Sequence, residues 1–66
     1  MHDQILVKIR KIRLEKSFSQ EYMANELGIT QSQYGKIENG VVKLSYERLQ
    51  KIARVLELEV NFLTSN

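Results

Sequence analysis

At 66 residues the chain has room for one domain, spanning 1–66, that buries only about 60% of its unfolded surface, so it should be compact and modestly stable. Zero cysteines exclude disulfides and thiolate metal sites and fit a reducing cytosol. No run approaches the ~20 apolar residues of a membrane span, and the start MHDQILVKIRK is too charged for a signal peptide. The net charge is only +2, but five cations (Lys8, Arg10, Lys11, Arg13 and Lys16) fall within residues 1–20, a basic patch suited to phosphate or simply to water.

With no proline and three glycines, the pattern is helical throughout. Asp3 is a candidate N-cap for a first helix over 4–16, with Ile5, Ile9 and Ile12 on one face. Ser17-Phe18 breaks that pattern and offers an apolar plug. Ser19 can then cap a second helix over 20–27 whose apolar side carries Met23, Ala24 and Leu27. Gly28 suits the left-handed residue that ends a helix. Thr30 caps a third helix over 31–39, with Tyr34 and Ile37 inward and Gln31, Ser32, Gly35 and Lys36 along the outer side. After a loop at 40–44, Ser45 caps a fourth helix over 46–56 carrying Leu49, Ile52, Ala53 and Leu56. A short fifth helix over 60–63 closes the core with Leu58, Val60 and Leu63. The β-prone runs VVKL and ELEV are too short and isolated to make a sheet.

Two short helices joined by a tight glycine turn, here residues 19–40, form a helix-turn-helix unit whose second helix can enter a DNA major groove. At Ser19-Gln20-Glu21, Met23-Ala24, Leu27-Gly28-Ile29, Thr30-Gln31-Ser32 and Ile37-Glu38-Asn39-Gly40 the chain resembles the phage-repressor and Cro-like helix-turn-helix family. The likeness runs outward through Ile9-Arg10-Lys11-Ile12-Arg13 and Leu49-Gln50-Lys51-Ile52-Ala53, covering about residues 5–63. It implies an all-α, five-helix, lambda-repressor-like DNA-binding domain.

Several residues have a physical case of their own. Gln31 sits in the first turn of the third helix, where a side chain can reach base edges, and a glutamine amide pairs bidentately with adenine. Ser32 can donate or accept, and Lys36 lies one turn further on. Gln20 opens the second helix, where free N–H groups favour an anion. The resemblance implies base contacts for Gln31, Ser32 and Lys36, and backbone contacts for Gln20, Gln33, Asn39 and Lys43. It also implies a partly buried salt bridge between Arg13 and Glu38 that fixes the third helix to its scaffold. Glu57 stands where the family often has glycine, and Glu59 where it often has a small cap.

An enzyme lacks its parts: the lone histidine is His2, near the terminus, and there is no cysteine, phosphate loop or pocketed carboxylate pair. No metal or other cofactor is called for. The expected function is a bacterial or phage transcriptional regulator acting on double-stranded DNA in the cytoplasm, at the nucleoid. A homodimer on a palindromic operator is expected, with Val41, Val42 or Phe62 as exposed contacts. The competing reading is a protein-interaction module, such as an antitoxin that binds a partner protein. The intact polar positions Gln20, Gln31, Ser32 and Lys36 favour DNA.

Overall fold

The chain becomes helical earlier than its capping signals suggest. In the computed structural model, which describes residues 2–65, α1 covers His2–Glu15, α2 Gln20–Leu27, α3 Gln31–Glu38, α4 Tyr46–Val55 and α5 Val60–Thr64. Asp3 therefore lies inside the first turn of α1 rather than at its N-cap, because no glycine or proline interrupts the backbone before it. The side chains of His2 and Asp3, and all of Met1 and Asn66, lie outside the described residues. The described residues contain no strand.

The other starts follow their caps. Ser19, Thr30 and Ser45 are extended, and each side-chain oxygen accepts from the backbone N–H three residues on. At α3 the cap is reciprocal: Thr30 Oγ1 accepts from Gln33 N–H at 3.0 Å while Gln33 Oε1 accepts from Thr30 N–H at 2.8 Å. Glu59, at the N-cap of α5, makes no side-chain cap hydrogen bond.

The ends of α1 to α4 share one geometry, with a left-handed residue and a pair of backbone hydrogen bonds closing the last turn. Gly28 (φ 72°) and Gly40 (φ 77°) supply it after α2 and α3, at the positions a glycine signal predicts. After α1 and α4 the same place is taken by Ser17 and Glu57, both at φ 60°. There Phe18 N–H reaches Arg13 O at 3.0 Å, and Leu58 N–H reaches Ala53 O at 2.8 Å. Glutamate at 57 thus leaves the turn intact, at the roughly 1–2 kcal/mol that a side chain costs in this conformation. Asn39 and Leu56 serve as C-caps of α3 and α4, so those helices stop one residue before the ends expected from the sequence.

Helix α2 packs on both α3 and α4, α1 packs on α3 and α5, and α4 on α5. Met23, Ala24, Tyr34, Ile37, Leu44, Leu49, Ile52, Ala53, Leu56 and Leu63 fill the space between. Each large apolar side chain buried there contributes about 1.5–3 kcal/mol. On α1 the buried stripe is Leu6, Ile9 and Arg13, a quarter-turn from the predicted one, with Ile5 and Ile12 half-buried at its flanks. The shift arises because an arginine occupies the inward position that an apolar count passes over. Lys8 ties the far end of the fold together, its ammonium donating to the backbone carbonyls of Phe62 and Ser65.

Candidate nucleic-acid interface

Burial sorts the residues of α3 into two faces. Tyr34 (0% exposed), Ile37 and Glu38 turn inward, while Gln31, Ser32, Gln33 and Lys36 are exposed, as are Asn39 and Lys43 beyond the helix. Between residues 30 and 45 the single carboxylate is Glu38. Because it is buried, the outer face of α3 presents amides, a hydroxyl and lysines with no negative charge among them.

Four donors saturate that buried carboxylate. Glu38 Oε2 accepts from Arg13 Nε at 2.8 Å and from the Tyr34 hydroxyl at 2.6 Å. Its Oε1 accepts from Arg13 Nη2 at 3.0 Å and from Gln20 Nε2 at 3.3 Å. The third guanidinium nitrogen, Nη1, donates to Phe18 O at 2.8 Å and so binds the α1–α2 turn into the same network. A forked arginine suits this arrangement, since two parallel N–H groups meet two carboxylate oxygens. No buried side-chain nitrogen or oxygen among the described residues is left unpaired.

The electrostatics follow from the geometry. Burial pushes the Glu38 carboxyl up, but hydrogen bonds from Arg13 and Tyr34 outweigh it and hold the group below the usual glutamate range. Burial, then the adjacent anion, pushes the Tyr34 hydroxyl well above the usual tyrosine value, so it stays a neutral donor. Glu38 likewise raises Arg13, which remains charged. This trio locks α3 onto α1, while Gln20 links it to the start of α2.

Two positions differ from expectation. Gln20 does not project freely from the start of α2, because its amide folds back onto Glu38 and is half-buried. Gly35 does not lie on the open outer side; it is half-buried, and a Cβ built there would point at Gln20 Oε1, 3.5 Å away. That is ordinary contact, so Gly35→Ala should fit. It is expected to stabilise the fold by about 1 kcal/mol through helix propensity alone, raising Tm by about 4–8 °C. A calorimetric scan giving an unchanged or lower Tm would mean that Gln20 cannot yield.

Gln33 has its Oε1 engaged in the α3 cap, which leaves its amide nitrogen to donate elsewhere. Phe62 is 56% exposed, and Val41 and Val42, in the turn after α3, are exposed too, Val42 lining one surface cavity with Gln33 and Lys36. Apolar spacing registers the Tyr34 ring but not its hydroxyl. Its spacing of four from Glu38 on one helix was the available signal.

A family model described as helix-turn-helix matches residues 9–63. The chain is 38% identical over 56 residues to an SPbeta prophage-derived uncharacterized HTH-type transcriptional regulator, YonR, of Bacillus subtilis (strain 168), covering 85% of this chain and 52% of that protein. It is 33% identical over 55 residues to an uncharacterized HTH-type transcriptional regulator, YqaE, of the same organism, covering 83% of this chain and 47% of that protein. The chain thus spans about half the length of these curated relatives. No solved structure matches it.

Proposed function

Because this chain belongs to the helix-turn-helix family, we propose that it is a sequence-specific DNA-binding regulator of transcription. The observation that carries the reading is the division of α3 into a locked inner face and a polar outer face free of carboxylates. Such a helix can lie in the major groove without repelling phosphate. Gln31 and Ser32, exposed in its first turn, and Lys36, one turn on, read base edges. Gln20, Gln33, Asn39 and Lys43 hold the backbone and set the register. In the folded chain Gln20 also braces Glu38, so its contact would tie the duplex to the buried network.

One such helix covers few base pairs. A homodimer placing two copies of α3 about 34 Å apart on a palindromic operator supplies the missing specificity. The exposed Val41, Val42 and Phe62 are the apolar residues available for that contact. The chain acts by occupying its operator in the cytoplasm. Among the described residues, no helix is long and apolar enough to cross a membrane.

Selection of bound duplexes from a random DNA pool, with Gln31→Ala in parallel, tests this directly. The native chain is expected to enrich a palindromic motif. The variant should lose discrimination worth about 1–3 kcal/mol at one base pair in each half-site. An absence of any motif, with both chains binding equally weakly, would overturn the reading.

A further inference from the structure

One cation of the α1 patch is held at the edge of this surface without being needed there. Arg10 is about half exposed, with its Nη2 donating to Asn39 Oδ1 at 3.1 Å and its Nε 3.5 Å from Glu38 Oε1. Glu38 already accepts four shorter or comparable hydrogen bonds, so Arg10 does not satisfy it. Nor does Arg10 cap α3. The carbonyls of Gly35, Lys36 and Ile37 already accept from the backbone N–H groups of Asn39, Val41, Val42 and Gly40. Against the single charge of Glu38 stand two guanidiniums. Arg13 is buried and neutralises it, which leaves the charge of Arg10 uncompensated at the surface.

We propose that Arg10 is a DNA-backbone contact, its guanidinium pre-positioned by Asn39 and Glu38 to hold a phosphate at the C-terminal end of α3. The inference rests on the DNA-binding reading above and adds a residue from outside the helix-turn-helix unit. A guanidinium fixed at two points loses less freedom on binding an anion than a free surface lysine does. A second donor lies beside it, because Asn39, accepting through Oδ1, has its amide N–H groups left to give. Together they form a paired donor set beside the turn at Gly40. A phosphate there fixes the tilt of α3 without reading sequence.

The salt dependence of binding to duplex DNA of random sequence isolates this contact from base readout. Arg10→Ala is expected to reduce the slope of log affinity against log salt by about 0.9, and affinity by about 5- to 10-fold near 0.1 M salt. Arg10→Lys, which keeps the charge but loses the fork, should recover most of the slope. Lys51→Ala removes a charge on α4 that pairs instead with Glu47 at 3.7 Å, and should leave the slope unchanged. An Arg10→Ala slope equal to the native one, with native binding intact, would overturn this proposal alone. If Lys51→Ala lowers the slope as much, only net charge matters and the proposal also falls. If the native chain shows no salt-dependent binding at all, the DNA reading itself fails and this one with it.

Discussion

Arg13→Ala is expected to lower stability by about 3–5 kcal/mol, because it strips a buried carboxylate of its buried partner and leaves only the half-exposed Arg10 at 3.5 Å. The size of the effect follows from the saturation of Glu38, since Arg13 supplies two of its four hydrogen bonds and all of its close buried charge. A chain of this length has roughly 3–10 kcal/mol of stability in total, so the variant should be largely unfolded at 37 °C. Lys11→Ala, two residues away and so on the opposite, exposed side of α1, should cost within about 0.5 kcal/mol. Thermal melts followed by circular dichroism separate the two, and equal Tm values would refute the role given to Arg13. The pH dependence carries the same information. The folded Glu38 pKa is depressed, so its contribution is present above the ordinary carboxylate pKa of about 4.3 and is lost as pH falls below that, through the lower folded value. Native stability should therefore drop in that acid window, whereas a partner-free carboxylate would lose little.

Tyr34→Ala should be as damaging, by about 3–5 kcal/mol, through the cavity left by a fully buried ring. Tyr34→Phe keeps the ring and removes only the 2.6 Å hydrogen bond to Glu38 Oε2. It is expected to cost about 1–3 kcal/mol, the usual result of leaving a buried acceptor short of a donor. Urea titrations of the three proteins give the split between packing and hydrogen bonding. If Tyr34→Phe matched the native midpoint, the hydroxyl would be an incidental contact and the network would reduce to the Arg13–Glu38 pair. The alkaline limb offers a cross-check. A hydroxyl whose folded pKa is raised stabilises the fold below the unfolded value of about 10, and that contribution is lost as pH climbs beyond it. Tyr34→Phe should lack that loss.

The helices were legible in the sequence wherever local chemistry decides them. Ser19, Thr30 and Ser45 announce their helices because a cap needs one oxygen at one position, and Gly28 and Gly40 announce turns for an equally local reason. The turns at Ser17 and Glu57 carry no such signal, since these exposed residues are held left-handed, against their own preference, by the backbone hydrogen bonds that close each turn. The inward face of α1 was misjudged for a related reason. Apolar periodicity cannot register a buried arginine, and Arg13 moves the stripe toward Leu6. At the candidate interface, burial of Tyr34 and Ile37 followed from spacing. The folding-back of Gln20 and the placement of Arg10 against Asn39 did not, because both depend on how α1, α2 and α3 meet in space.

The two left-handed positions without glycine bear on how far this protein can change. Ser17 and Glu57 lie in the turns after α1 and α4, outside the outer face of α3. Installing glycine at either would relieve about 1–2 kcal/mol of backbone strain, less about 0.4–1 kcal/mol for the looser unfolded chain. That margin is comparable to what a poor helix former costs within α3. A lineage, or a laboratory selection, exploring new residues at positions 31, 32 and 36 could therefore drift through sequences that would otherwise melt, provided one of these distant turns changed first. Recognition specificity would evolve on α3 while the licence for it came from elsewhere in the chain.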